Sequence, residues 1–476
     1  MADLPHLEHY FADTFPELSI PVRPEEPPQP RLVAIHSSLA TELGLSPEWL
    51  ASPDGVKFLC GVHPGCSAHP VAQGYSGHQF GQFSPMLGDG RAALLGEIID
   101  PQGHRHDLHL KGIGATPFSR GGDGYAVLGP MLREFLISEA MHSLGVPTTR
   151  CLAVIATSKK IMRRGVQPGA LLVRVADNHL RVGTVQFSRL LVEHDKADID
   201  LLLRIIDEIQ LPGKYGNPGL DLIDYVIEKQ LLTVSKWMRL GFIHGVMNTD
   251  NTTLNGDTID YGPCAFMDYY DPSTCFSSID HQGRYQFKNQ PLILGWNIAR
   301  LAEVLLPVIH PDPNTAAAKA TELVEAIPQR YRTMWLAEMS RALGLAPSPA
   351  THEIIDELVA LMTQYHCDNT TTLWGLSAGI YPAPLEKWYR RWKEHHPDTE
   401  AMFAYNPLYI PRNHLVEAAL KAAEDGDDTL FKDLERHVYQ PFRQLQEDQD
   451  PQLLLADPYA QPAPKDAPPY ITYCGT

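Results

Sequence analysis

Apolar and polar positions change period along this chain, and the change divides it. The first clear pattern is Arg91-Ala-Ala-Leu-Leu-Gly-Glu-Ile-Ile, a turn at Asp100-Pro-Gln-Gly, then His106-Asp-Leu-His-Leu-Lys111. Two apolar runs around a Pro/Gly turn predict a β-hairpin. Residues 119–124, Ser-Arg-Gly-Gly-Asp-Gly, read as a glycine-rich loop. Leu132, Phe135, Leu136 and Ala140 then repeat at helical spacing, with Pro130 in the first turn and Gly145 and Pro147 beyond the end, which predicts a helix over 130–144. Cys151-Leu-Ala-Val-Ile and Ala170-Leu-Leu-Val-Arg-Val predict two more strands. After them the period is helical. Ile223, Val226, Ile227, Leu231, Val234 and Met238 mark a long amphipathic helix that stops at Gly241, and further helices are expected at 293–309, 315–343, 352–365, 384–396 and 413–445. The prolines at 16, 21, 24, 27, 28 and 30 predict an extended arm outside the core, and the last 25 residues are Pro-rich with little periodicity.

A small β-rich part followed by a large helical part is the order found in protein kinases. The expected class is therefore α+β: a protein-kinase-like two-lobed fold with a small β-rich N-lobe, a large helical C-lobe and extra segments at both ends. The expected divisions are an N-terminal extension over 1–70, the N-lobe over 71–180, a C-lobe core with catalytic loop and activation segment over 181–310, and a helical extension with the Pro-rich tail over 311–476.

Composition narrows the functional classes. The chain has 476 residues, 44% of them hydrophobic, ample for a large core. No run was found to approach the roughly 18 to 20 apolar residues of a membrane helix, and the acidic N-terminus lacks a signal or transit pattern. The expectation is a soluble cytoplasmic protein with no membrane partner. With 39 Lys and Arg against 57 Asp and Glu, the net charge of −18 argues against nucleic-acid binding. Any phosphate must then sit in a local basic pocket. The seven cysteines are odd in number and form no Cys-x-x-Cys, which argues against a disulfide framework or a structural zinc site.

The candidate chemistry lies in residues 244–262, from His244-Gly-Val-Met-Asn-Thr-Asp-Asn251 to Asp260-Tyr-Gly262. Kinases place an Asn five residues after the catalytic Asp and a metal-binding Asp-Phe-Gly a little later. With Asn251 set on that Asn, His244 falls on the kinase His and Asp260-Tyr261-Gly262 on Asp-Phe-Gly. Asn251 and Asp260 then offer the hard oxygens that magnesium takes. The catalytic position, however, holds Val246, which accepts no proton, and the nearby carboxylate is Asp250. Either the site is inactive as a kinase or Asp250 deprotonates a nucleophile from another direction; a polar loop after a buried helix is the plain alternative. Lys111, at a strand end, suits nucleotide phosphates, with Glu134 its expected partner and Glu139 the competitor. Gly88, Gly90 and Arg91 suit a phosphate-facing turn, or an ordinary Asp-Gly hairpin. His104, His106 and His109 invite a zinc reading, but no carboxylate or Cys completes a set, and an exposed strand is the expectation.

Taken together, the chain resembles the selenoprotein O family of kinase-like protein adenylyltransferases. The resemblance rests on Tyr75-Ser-Gly-His-Gln-Phe-Gly81, Leu87-Gly-Asp-Gly-Arg91, Leu110-Lys-Gly, Gly122-Asp-Gly124, Leu144-Gly-Val-Pro-Thr-Thr-Arg150, Gly245-Val-Met-Asn-Thr-Asp-Asn251, Asp260-Tyr-Gly-Pro263 and Asp280-His-Gln-Gly-Arg-Tyr285. It implies that ATP lies reversed relative to ordinary kinases, so that AMP passes to Ser, Thr or Tyr hydroxyls of protein substrates with release of pyrophosphate. By matching position it implies Asp250 as proton acceptor and Asn251 and Asp260 as ligands of magnesium, with manganese or UTP as alternatives to be tested. It places Gly88, Gly90, Arg91, Lys111, Asp123, Gly124, Arg174 and Arg181 around the nucleotide. A turn at Asp177-Asn178 would pair Arg174 with Arg181 on a hairpin, two cations that would repel unless a terminal phosphate lay between them; a solvated charged hairpin is the alternative. The tail Tyr473-Cys474-Gly-Thr matches the family in position, since Cys or selenocysteine often stands third from the end. A redox pair of Cys474 with Cys275 in the activation segment follows from that resemblance, with Cys264 the rival partner.

Overall fold

The structure, a computed structural model, describes residues 4–65, 68–163 and 165–472. Its strands are β1 (Ser19–Pro21), β2 (Arg31–Ile35), β3 (Val71–Gln73), β4 (Gly77–Gln79), β5 (Gln82–Ser84), β6 (Ala92–Ile99), β7 (Arg105–Lys111), β8 (Ala126–Val127), β9 (Arg150–Met162), β10 (Val166–Ala176), β11 (Phe242–Ile243) and β12 (Ala265–Phe266). Eight of them form one sheet in the order β1-β3-β6-β7-β10-β9-β2, with β8 on β10. Each strand pairing in it is antiparallel. Helices dominate from residue 182 onward, and the class is α+β.

Period-two alternation gives the sheet two faces. Leu108, Leu110, Leu171, Val173 and Val175 pack against Leu39, Leu50, Phe58 and Leu59 from the short N-terminal helices. On the other face Leu172 and Val154 meet Leu132, Phe135 and Leu136 of the helix Leu128–Ser143. The polar members of that second face are His109, Lys111 and Arg174, and they stand where the helical part of the molecule begins. That part is built on the helix Pro218–Leu240, started by Asn217, whose side chain accepts from Leu220 N, and ended by Gly241 at φ +74°. It packs on the helix Gln290–Ile309 through Ile223, Val226, Leu294, Ile298 and Leu301.

Several expectations are corrected. The Pro-rich arm is extended but not outside the core: β1 and β2 add to opposite edges of the sheet, and Phe15 and Leu18 are buried. The Asp177-Asn178 hairpin does not form. β10 is already flanked by β7 and β9, with Arg174 opposite His109 and Cys151, so no edge is left to receive residues 179–181. Instead Asn178 Oδ1 accepts from Leu180 N, and Arg181 opens the helix Val182–Glu193. The stretches read as single helices over 315–343 and 413–445 are each two, parted at Ala326 and at residues 425–428. The segment Phe287–Ile309 is long and apolar enough to cross a membrane by length and composition. Lys288, Asn289, Gln290, Asn297, Arg300 and Glu303 interrupt it, so it does not show as an unbroken apolar run in the sequence.

Candidate active site

The sheet's second face, the loop before β6 and the 244–262 segment enclose a cleft of about 320 Å³. β7 brings Lys111 to its floor. Lys111 Nζ lies 2.6 Å from Glu134 Oε2 and 3.1 Å from Asp260 Oδ1. Glu134 comes from the packed face of the helix Leu128–Ser143, and its other oxygen accepts from Arg174 Nε at 3.1 Å and from Arg174 Nη2. Glu139, the competing partner, is occupied elsewhere, by Arg150 at 2.8 Å and His36 at 3.0 Å. Burial works against ionising Glu134, but Arg174 and Lys111 outweigh it and hold its pKa below the usual range. Glu134 therefore fixes both cations without entering the cleft.

The turn before β6 forms the roof. Gly88 sits at φ +62°, and a Cβ there would come 2.3 Å from Phe118 Cγ, so neither its backbone nor its surroundings admit a side chain. Thr116 Oγ1 donates to Asp89 O at 2.6 Å and Ser119 Oγ donates to Gly90 O, which ties the glycine-rich loop over this turn. Asp123 lies on the rim, bidentate to Arg163 at 2.8 and 2.9 Å.

The opposite wall carries the carboxylates. His244 is buried and neutral: burial lowers its pKa, and Nε2 bonds Ile259 O at 2.8 Å, which steadies the residue before Asp260. Asp260 has φ +64°, a left-handed conformation that aims its side chain at Lys111. Burial opposes its ionisation, but Lys111, Arg174 and Arg91 hold it well below the usual carboxylate range. Asp250 lies in the short turn Thr249–Asn251, which the β4–β5 hairpin clamps: His78 N donates to Thr249 Oγ1 at 2.7 Å, and Phe80 N to Asn248 Oδ1 at 3.2 Å. A Cβ on Gly77 would come 2.4 Å from Asp250 Oδ1. Gln79 Nε2 donates to Asp250 Oδ2 at 3.3 Å, whereas Oδ1 is buried with no partner. Burial is the main cause that pushes Asp250 up to about 6, so that it ionises near neutrality and can accept a proton.

The cleft thus brings together Gly88, Gly90, Arg91, Lys111, Asp123, Gly124, Arg174, Arg181, Asp250, Asn251 and Asp260. Cys275 lies outside its lining and donates to Asp280 Oδ2 at 3.5 Å; Cys474 lies outside the described residues. Arg174 and Arg181 reach the cleft from a strand and from a helix start rather than across a hairpin. Six cations line it (Arg91, Lys111, Arg120, Arg163, Arg174 and Arg181) in a chain of net charge −18. The donors available to a metal are hard oxygens. Asn251 Nδ2 donates to Val246 O at 3.0 Å, which leaves the amide oxygen as the ligating atom, beside Asp260 and the unpartnered Asp250 Oδ1. Among the described residues no group of three or more His, Cys, Asp or Glu is placed to hold a metal. An oxygen set this small suits magnesium completed by substrate phosphate and water. The three histidines are divided between two carboxylates rather than gathered on one exposed strand face: His104 and His106 lie on Asp100 Oδ2 at 3.3 and 3.1 Å, and His109 is buried on Asp89 at 3.0 Å.

Sequence reasoning missed Tyr75, Asp89, His109, Phe118, Arg120 and Arg163 as cleft residues. His109 was legible: it stands two residues before Lys111, hence on the same strand face, and is buried on Asp89 rather than exposed. Arg163 was not, because its partner Asp123 is forty residues away.

Comparison with known proteins decides the family. Residues 5–387 match the family model described as protein adenylyltransferase SelO. The chain belongs to the SelO family. The protein nucleotidyltransferase YdiU of Mycolicibacterium smegmatis is 47% identical over 484 residues, covering 99% of this chain and 98% of that protein. Those of Corynebacterium efficiens, at 46% over 99% and 96%, and Anoxybacillus flavithermus, at 48% over 94% of each chain, carry the same description. This SelO-family chain is accordingly a nucleotidyltransferase.

Proposed function

We propose that the cleft binds ATP with magnesium, manganese being the alternative, and transfers AMP to a Ser, Thr or Tyr hydroxyl of a protein substrate with release of pyrophosphate. The observation that carries the reading is Asp250: a buried carboxylate oxygen without a partner, in a clamped turn beside six cations. The acceptor oxygen attacks the α-phosphorus, its proton passes to Asp250, and the bond to the β-phosphate oxygen breaks. Magnesium bound through Asn251 and Asp260 supplies charge neutralisation on the phosphates. Lys111, held by Glu134, and Arg91, Arg174 and Arg181 bind the phosphate chain; Gly88, Gly90, Asp123 and Gly124 shape the walls around it. Val246 at the kinase base position is then no defect, because attack at a different phosphorus needs a base elsewhere. The same reading makes the molecule a kinase-like two-lobed fold, N-lobe over 71–180 and C-lobe core over 181–310, working in the reducing cytoplasm.

The reading includes a redox pair between Cys275 and Cys474. Thr472 is bound into the segment around Cys275: its N–H donates to Phe276 O at 2.8 Å, and its carbonyl accepts from Ser278 N at 2.9 Å. An oxidant such as peroxide would take two electrons and two protons from the thiols.

Asp250→Ala tests the chemistry. Turnover should fall by roughly 10² or more, the usual scale for loss of a general base, while ATP affinity measured by calorimetry changes little. Turnover near that of the unmodified protein with ATP still bound would remove Asp250 from its role.

A further inference from the structure

The β4–β5 hairpin stands against Asp250 through Gly77 and Gln79, and the surface beyond it has an unbalanced charge. Tyr285 OH donates to Asn248 Oδ1 at 2.6 Å, the same oxygen that accepts from Phe80 N, and the Phe80 and Tyr285 rings lie 5.1 Å apart. The adjoining Arg284 thus neighbours a side chain anchored on Asn248, two residues before Asp250. Its guanidinium lies 4.8 Å from the Trp296 ring centroid, and Arg300 stands 5.0 Å from the same ring. Trp296 in turn meets His78, 5.1 Å away, on the strand that clamps Thr249. Arg300 is neutralised by Glu303 at 2.5 Å, and Arg189 nearby by Glu193 at 2.9 Å. Arg284 forms no ion pair among the described residues, and its Nε has no hydrogen-bond partner. An excess of eighteen acidic groups offers many counter-ions, so a guanidinium left without one beside the catalytic loop is poised for a charge from outside the chain. Exposed apolar surface adjoins it: Phe83, on the hairpin, is 44% exposed, and Met86, just beyond it, 55%. Behind Phe83 opens a groove of about 640 Å³ lined by Leu190, Val304 and Pro307.

We propose that Arg284 and Trp296, with the exposed side of the β4–β5 hairpin, form the docking surface for the protein acceptor, and that it selects an acidic segment beside the acceptor hydroxyl. The proposal rests on the AMP-transfer reading and names its substrate class. A carboxylate two or three residues from the hydroxyl would pair with Arg284. A neighbouring apolar side chain would cover Phe83. Arg284 is a specificity-determining residue here and lies outside the lining of the nucleotide cleft.

The test uses the full chain, ATP labelled at the α-phosphate, and two synthetic peptides with one Ser each, flanked by Asp and Glu or by Lys. Unmodified protein should show a KM for the acidic peptide at least about ten-fold below that for the basic one. Arg284→Glu should invert the preference and leave the KM for ATP unchanged, and Arg284→Gln should abolish it. A general structural defect would instead lower kcat for both peptides and disturb ATP binding. Equal KM values with unmodified protein, or a preference unmoved by Arg284→Glu, would overturn the docking surface while leaving AMP transfer standing. Absence of α-label from both peptides and from the enzyme itself would overturn both.

Discussion

Arg181 Nη2 is buried in the cleft wall without a hydrogen-bond partner, while Nη1 donates to Asp250 O and Nε to His179 O. An orphaned guanidinium nitrogen costs free energy unless a ligand meets it, and the proposed occupant is a terminal phosphate. Arg181→Ala should weaken ATP by about ten-fold or more, from the loss of about 1.5–3 kcal/mol in a hydrogen bond to a charged group, and weaken AMP much less. Titration calorimetry with both nucleotides checks this, and equal losses would place Arg181 elsewhere along the nucleotide. Asp257 offers a test on stability. Burial, then the Asp177 charge, pushes its carboxyl up to about 7. Because its pKa is higher folded than unfolded, this group favours the folded state most below about pH 4 and loses that contribution as pH rises through 7. Asp257→Asn removes the penalty, so the Tm difference between variant and parent should be smallest near pH 4, grow positive as pH rises to 7, and level off near pH 8 at a value worth on the order of 4 kcal/mol, about 1.4 kcal/mol for each pH unit between the unfolded and folded pKa. A pH-independent difference would show that Asp257 does not titrate in this way. In the sequence, Lys111, Asp250, Asn251 and Asp260 were legible because their chemistry tolerates few substitutes at those spacings. Asp257 was not: its pKa depends on what folds around it.

At the scale of elements, what could be read were segments whose local signals agree with their packing. The helix Leu128–Ser143 has its Pro, its apolar stripe and its Gly145 stop, and the helix Pro218–Leu240 ends at Gly241 as expected. What failed were places where tertiary pairing overrode a local signal. Asp177-Asn178 has good turn chemistry, but β10 had no free edge. The helices Val182–Glu193, Asp200–Glu208 and Asn369–Ser377 were passed over. The last is buried along most of its length, so it shows no amphipathic period. The C-terminal segment reads as structureless by composition, yet it is held by specific contacts: Thr472 Oγ1 donates to Pro263 O at 2.7 Å, and Tyr470 OH donates to Glu417 and accepts from Arg133 Nη1. A strap between the Asp260 loop and the segment of Cys275 gives the proposed redox pair a means of acting on the cleft. Burial is the main cause that pushes Cys275 up to about 11, so its thiolate is scarce at neutral pH and the pair should form slowly without an oxidant. Peptide mapping of peroxide-treated, unreduced protein should give a Cys275–Cys474 cross-linked peptide. Its absence, with activity of Cys474→Ser identical under oxidising and reducing conditions, would dismiss the switch.

Across the whole molecule, an acidic chain keeps six cations for one cleft and, among the described residues, leaves Arg284 without an ion pair. The sheet, the Leu128–Ser143 helix and the 244–262 segment meet there, so each contributes one charge to the Lys111–Glu134–Asp260 chain. Losing any of them leaves the others buried and unbalanced, which costs more than the ion pair contributes. The segments at the two ends of the described structure complete this unit, one by adding β1 and β2 to the sheet, the other by bracing Arg133 next to Glu134. The central claim is that the phosphorus attacked is the α one. Incubation of the full chain with magnesium and ATP labelled at either the α- or the γ-phosphate tests it directly. The account predicts protein-bound label from the α position alone, with the γ label recovered in pyrophosphate; label carried to protein from the γ position would contradict it.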